Sequence, residues 1–320
     1  AVFQALRTVT LEEPDSAPIG SLDDLEILPE GRFLVVDRIN SQLRVHDRDG
    51  RLQARIGRYG KGPGEFEDLV DAAVGPNGEL YTMDFGSQRV SRFNTNLVFD
   101  TVLATVPGAG THVAIQGDRV IVGFRGLTGF EINVGYLGES GDVSVVHPSL
   151  PDAAEMPYVA QIAVDHIAVD DSIVVLAYSV EYPMIRLVGE GLAKHAMLGD
   201  PPASWRPIVA PRAETFNGEH GRRNLASWLG TFAVVSGVHI LDSMIVVSHG
   251  QYDADPTMQL PEMLRIHPYA SDVYNHDGSK VVEDVVLRGR ILSADSLLYV
   301  ETAAPPEPRQ ITLYELNTPE

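Results

Sequence analysis

The sequence predicts an all-β fold, a six-bladed β-propeller closed by pairing of its N- and C-terminal strands. Three observations predict it. A unit of tight polar turn, apolar β-branched strand and second turn recurs along the chain. The 29 glycines and 21 prolines are spread over 320 residues without low-complexity tracts, as many short strands joined by turns require. No long segment has helical periodicity, and only Asn224–Phe232 reads as one short helix.

The unit is clearest in Gly31-Arg32-Phe33-Leu34-Val35-Val36-Asp37, followed by Asn40-Ser41-Gln42-Leu43-Arg44-Val45. It returns as Gly78-Glu79-Leu80-Tyr81-Thr82-Met83-Asp84, followed by Ser87-Gln88-Arg89-Val90. Drifted copies follow at Gly117–Val122, Asp171–Val175, Asp242–Val247 and Asp295–Val300. The apolar strands thus start near residues 33, 80, 119, 173, 244 and 297, one per blade. Inner strands precede them at Leu25–Leu28, Val70–Val74, Val113–Ile115, Ile167–Val169, Val238–Leu241 and Val285–Leu292. Val2, Phe3, Leu6, Val9 and Leu11 form a terminal strand, as do Ile311, Leu313, Tyr314 and Leu316. An isolated blade cannot bury its faces, so these two strands are expected to share the last blade and close one domain over residues 1–320.

Between the first two copies lies Gly60-Lys61-Gly62-Pro63-Gly64-Glu65-Phe66. Together with the strand ending at Asp84 and the turn after it, this segment resembles an NHL repeat over residues 57–94; Leu69 stands near where that family usually has Pro. The resemblance implies a six-bladed propeller that presents loops on two rigid faces. Some relatives are enzymes: peptide-amidating lyases with a His-held zinc on the axis, and lactonases with a Glu/Asn/Asp calcium site there. The glycine-rich segment is read as the turn between blades, because no G-K-[ST] and no helix follow it. Asp37 and Asp84 end equivalent strands, and their repetition points to a structural role as acceptors for turn N–H groups.

A net charge of -20 disfavours nucleic acid, whose binding depends on Lys and Arg displacing counterions. With no cysteine there is no disulfide, Cys-held zinc or Cys nucleophile. No run approaches the roughly 18 apolar residues of a membrane helix. The chain begins Ala1-Val2-Phe3 without Met or a basic-then-apolar leader, which reads as a mature end or a truncated piece. A periplasmic or extracellular address is expected, chiefly from the habit of the family it resembles.

The widest spacing, between 173 and 244, holds an insertion at about 189–227, rich in Pro, Gly and Arg and poor in strand pattern. It carries Arg206, Arg212, Arg222 and Arg223, with Trp205 at its centre and Trp228 at its edge. Arg and Trp dominate binding hot spots, so these residues are candidates for a protein-docking arm; an ordinary loop packed on its own domain is the competing reading. Tyr252 begins a second candidate, a hairpin tip over Gln251–Glu262.

Aligning the inner strands on their polar turns brings Asp24, Asp71, His112, His166, Gly237 and Arg290 to one end of the channel. A one-residue slip would replace His112 with Val113 and Asp71 with Ala72. Such a polar ring is either a solvated mouth whose charges pair or, less simply, a metal site, against which Arg290 argues. No H-x-H, H-E-x-x-H or G-x-S-x-G motif is present. The expectation is therefore a non-catalytic binding or scaffolding propeller without cofactor, whose protein partner could be a membrane complex that it joins as an extrinsic subunit. The alternatives are a metal-dependent lyase or lactonase-type hydrolase at the channel mouth, and a small-ligand or glycan sensor.

Overall fold

The computed structural model describes the chain apart from residues 1, 127–131, 149–164, 181, 183, 189–193, 210–220, 259–262, 264–265 and 318–320. Its twenty-four described strands form six four-stranded sheets. After β1 (Phe3–Thr10), blade 1 comprises β2 (Asp24–Leu28), β3 (Arg32–Asp37), β4 (Gln42–His46) and β5 (Leu52–Ile56). Blade 2 comprises β6 (Leu69–Val74), β7 (Leu80–Asp84), β8 (Arg89–Phe93) and β9 (Phe99–Thr105). Blade 3 is β10 (Ala109–Gln116), β11 (Arg119–Arg125), β12 (Ile132–Leu137) and β13 (Val143–Pro148). Blade 4 is β14 (Asp165–Val169), β15 (Val174–Tyr178), β16 (Met184–Val188) and β17 (Lys194–Leu198). A helix, α1 (Gly221–Leu229), precedes blade 5, which holds β18 (Val234–Leu241), β19 (Met244–Tyr252), β20 (Ile266–Asn275) and β21 (Lys280–Val285). Blade 6 is β22 (Arg290–Ala294), β23 (Leu298–Ala303) and β24 (Gln310–Leu316), completed on its outer edge by β1.

Burial follows position in the blade. The second strands are covered on both faces by neighbouring blades, so they read as unbroken apolar runs; Phe33–Asp37 and Val174–Tyr178 are buried throughout. Outer strands need only one covered face, and Gln53–Arg55 of β5 are exposed. Six apolar clusters, one in each gap between successive blades, hold the ring. The last of these joins Val9, Ile311 and Tyr299 of blade 6 to Leu25, Phe33 and Val35 of blade 1. Closure is therefore made both by the antiparallel β1–β24 ladder, from Phe3↔Leu316 to Thr10↔Gln310, and by a shared core.

The repeat has a conserved turn geometry within the chain. Ser41 and Gln88, each four residues after the strand-ending aspartate, adopt left-handed φ of 51° and 58°. Asp37 Oδ1 accepts the N–H groups of Gly20 and Ser21 at 3.0 and 3.2 Å; Asp84 accepts those of Glu67 and Asp68 at 2.7 and 3.2 Å. Each aspartate thus pins the segment that enters its own blade. The glycine-rich segment is the β5–β6 connection between blades. Gly57 there has φ of 83°, and a Cβ on it would meet the Phe66 ring at 2.3 Å.

Two boundary expectations are corrected. Val285 belongs to β21, and the inner strand of blade 6 starts at Arg290. The intervening turn lacks an aspartate-serine signal, which concealed the break. Within the inserted segment, Lys194–Leu198 is β17, paired with β16 from Met184↔Leu198 to Val188↔Lys194. An edge strand can be short and polar because it packs on one side only.

Asp37 differs from Asp84 in one respect. Its Oδ2 accepts Arg44 Nε at 2.7 Å, and both side chains are wholly buried. The rest of the guanidinium donates to the carbonyls of Ala17 and Pro18. Ladder pairing places Ser91 where blade 1 has Arg44. Asp37→Ala strands a buried cation and should cost about 3–5 kcal/mol. Asp84→Ala removes only hydrogen-bond acceptors and should cost about 1–3 kcal/mol. Urea unfolding of the two variants checks that order.

Candidate functional site

The six inner strands surround a cavity of about 460 Å³ on the propeller axis. Asp24, Asp71, His112, His166, Gly237 and Arg290 all line it, one from each blade. Local breaks in the ladders accompany four of these positions: between Leu69 and Asp71, Gly110 and His112, Val235 and Gly237, and Ile291 and Ser293. Such bulges re-aim side chains, here near the channel.

Sequence reasoning missed a second tier, formed by Glu26 and His239. The signal was available: in a strand, residues i and i+2 share a face, so Glu26 follows Asp24 and His239 follows Gly237. Gly237 makes room for the imidazole, since a Cβ on it would lie 3.0 Å from His239 Nε2.

Acidic groups gather on blades 1 and 2, imidazoles on blades 3 to 5. Asp71 Oδ2 accepts the Val113 N–H at 2.7 Å and lies 3.4 Å from His112 Nδ1. Arg290 donates instead to Leu22 O and, at 3.3 Å, to Glu301 Oε2, so its charge is already engaged. Burial, then the neighbouring Asp71 and Glu26 charges, raise Asp24 well above the ordinary carboxylate range. Burial and Asp71 push Glu26 up to about 8. Burial, with the nearby His166, lowers His239 to about 3, leaving it a neutral imidazole at pH 7. Among the described residues, Asp24 Oδ2 and His239 Nε2 have no hydrogen-bond partner. This arrangement can accept a positive group at the acidic side and hydrogen-bond a polar one at the imidazole side.

The two tryptophans of the arm pack against different apolar clusters. Trp205 is half-buried, 5.0 Å from the Tyr182 ring and 6.5 Å from His249. Trp228 packs on Phe232 at 5.0 Å and donates its indole N–H to Val209 O at 2.8 Å. Tyr252 is corrected from contact residue to core: it is 5% exposed, enclosed with Ala226, Leu229, Phe232 and Met263 where α1 folds back on blade 5. Arg206, Arg222 and Arg223 are exposed, and Arg212 lies outside the described residues.

Raised carboxyls give a defined pH response. Between pH 4.5 and about 8 the folded chain holds a proton on Glu26 that the unfolded chain releases. Stability therefore falls as pH rises through that window, by at most about 1.4 kcal/mol per pH unit for one proton. His239 acts oppositely, adding stability as pH rises from about 3 to 6.5. Glu26→Gln should flatten the decline above pH 4.5, as read by urea unfolding at stepped pH.

Residues 1–101 match the family DUF5128, described as a 6-bladed beta-propeller. No curated protein matches the chain. A solved member of the duf4221 family from Bacteroides vulgatus ATCC 8482 is similar with TM-score 0.67 at 11% identity, covering 99% of this chain and 98% of its own. A Bacteroides fragilis NCTC 9343 protein, presumed exported, gives TM-score 0.63 at 13% identity over 99% and 96% of the two chains. A Xanthomonas campestris gluconolactonase gives 0.56 at 10% identity over 98% and 99%. At such identities the likeness speaks for architecture alone, and with the six closed sheets it makes this chain a six-bladed β-propeller.

Proposed function

We propose that this propeller is a non-catalytic recognition module working outside the cytoplasm, and that its axial channel binds a small ligand carrying a positive charge. The observation that carries the reading is the convergence of Asp24, Glu26 and Asp71 in a cavity whose one arginine is turned to other acceptors. Buried carboxylates without a cation hold protons instead, and a cationic group would displace them. The extracytoplasmic address is supported by the likeness to a protein presumed exported. No helix among the described residues is long and apolar enough to cross a membrane.

Exposed Arg206, Arg222 and Arg223 of the inserted segment support a second role, docking to an acidic protein surface. Lactonase- or lyase-type chemistry is a third reading, favoured by the His112–Asp71 approach of 3.4 Å in the channel.

The test is a thermal-shift and calorimetric screen with Ca²⁺ and with small primary and quaternary amines. A bound probe at about 100 times its Kd should stabilise the chain by about 2.7 kcal/mol. Proton release on binding, read in two buffers of different ionisation enthalpy, should disappear in Asp24→Asn/Glu26→Gln. Binding that survives in that double variant, or none at millimolar probe, would sink the channel reading. Turnover of a lactone probe that is lost in the same variant would replace it with the enzymatic one.

A further inference from the structure

Away from the axis, a second polar cluster sits inside the sheet of blade 5. His249 on β19, Asp272 on β20 and Asp284 on β21 come from three adjacent strands. His249 Nδ1 lies 3.5 Å from Asp272 Oδ2, and Nε2 lies 3.3 Å from Asp284 Oδ1. One ligand atom from each residue falls within 4.8 Å of the others. The side chains of His249 and Asp272 are fully buried, while that of Asp284 is 34% exposed and leaves a path to solvent.

Four features set this cluster apart from an ordinary buried ion pair. Two carboxylates face one imidazole, and among the described residues no lysine or arginine pairs with either. Leaving net negative charge in the interior is costly unless a cation offsets it. His249 Nδ1 is buried without a hydrogen-bond partner although it points at Asp272. Supporting bonds already orient the Asp272 carboxylate: Tyr182 Oη donates to its Oδ2 and the Asp284 N–H to its Oδ1, both at 2.8 Å. Broken register between β20 and β21, with a left-handed Asp284 at φ 52°, swings that side chain toward its neighbours.

We propose that His249, Asp272 and Asp284 form a binding site for one divalent transition-metal ion of the zinc type. An imidazole nitrogen with two carboxylates suits Zn²⁺, whereas Ca²⁺ and Mg²⁺ demand six or more oxygens or near-ideal octahedra. One imidazole nitrogen ligates the ion while the other faces the remaining carboxylate, and one donor atom from each of the three residues lies within 4.8 Å of the others. Ser204 completes the surroundings: its Oγ lies 3.4 Å from His249 Nε2 and donates to Asp284. Because that hydroxyl proton goes to Asp284, Ser204 is not poised as a nucleophile for His249 to deprotonate. The metal instead joins three strands of blade 5 to the part of the inserted segment that carries Ser204 and Trp205. Its binding free energy then adds to folding.

The test uses the full chain, stripped with a chelator and titrated with Zn²⁺ against a chromophoric competitor, then with Co²⁺. A single equivalent of Zn²⁺ is expected, together with Co²⁺ d–d absorption and quenching of Trp205 fluorescence, read in a Trp228→Phe background. His249→Ala and Asp284→Asn should each weaken Zn²⁺ by more than about 100-fold, beyond what losing a group that merely supports a ligand costs. Asp284 is partly exposed, so its variant keeps the test valid if the His249 variant fails to fold. Asp24→Asn/Glu26→Gln should bind Zn²⁺ as the parent does. No uptake by the parent, uptake unchanged in both blade-5 variants, or uptake lost only in the channel variant would overturn the site.

Discussion

Val9 faces Ile311 across the β1–β24 ladder, and both pack against Phe33 and Val35 of blade 1. This contact between the two ends of the chain is the constraint from which the rest follows. Each blade has a sheet face that it cannot bury alone, and each finds cover only because its neighbour is held in place. In a closed ring that requirement passes through all six gaps and returns to the first blade. Without β1, the last sheet would offer an open edge of unpaired N–H and C=O groups. The axial cavity exists only because the inner strands cannot approach further once the circle is shut. The channel is thus a by-product of closure, and its lining is free to vary in chemistry while the surrounding cores are not.

That freedom explains where the polar residues sit. Inside the blade gaps a charge survives only when fully answered, as Arg44 is by Asp37 and two backbone carbonyls. On the channel wall the demand is met by protons, which burial keeps on the carboxyls. There Asp24, Glu26 and Asp71 face one another without the cations that the cores would require. Raised carboxyls are the physical record of burial first and of this crowding second. They mark the wall as chemically unfinished in a way that Arg44 and Asp37 are not.

The architecture was readable because its strongest element has a local cause. A second strand buried on both faces must be a continuous run of Val, Ile, Leu and Phe after a tight turn, and strands starting at 32, 80, 119, 174, 244 and 298 fit that rule. The ring of Asp24, Asp71, His112, His166 and Arg290 was readable for the same reason, since inner strands lie at fixed offsets from those runs. Legibility failed where the controlling contact is distant or the backbone irregular. β17, Lys194-His195-Ala196-Met197-Leu198, is a short edge strand with no alternating pattern. Tyr252 looked like a loop-tip aromatic until α1 was seen to cover it. His249, Asp272 and Asp284 have no motif spacing at all; only cross-strand register and a left-handed Asp284 bring them together.

The three charged groups can be compared on one scale, the ratio of carboxylates to cations within reach. In blade 1 the ratio is balanced, and the pair is structural. In the channel it is unbalanced but lines a cavity of about 460 Å³, so protons can be held or exchanged there. In blade 5 it is unbalanced and largely dry, with His249 and Asp272 sealed from solvent and Asp284 at the edge. Water reaches that last group only at Asp284, and proton sharing between two carboxylates leaves the His249 Nδ1 orphan unanswered. A largely dry imbalance therefore calls for a compact charge that bonds to all three side chains at once, whereas one lining a cavity tolerates a larger, exchangeable ligand. The same excess of acid over base that gives the chain its -20 charge thus has different consequences at two depths of one fold.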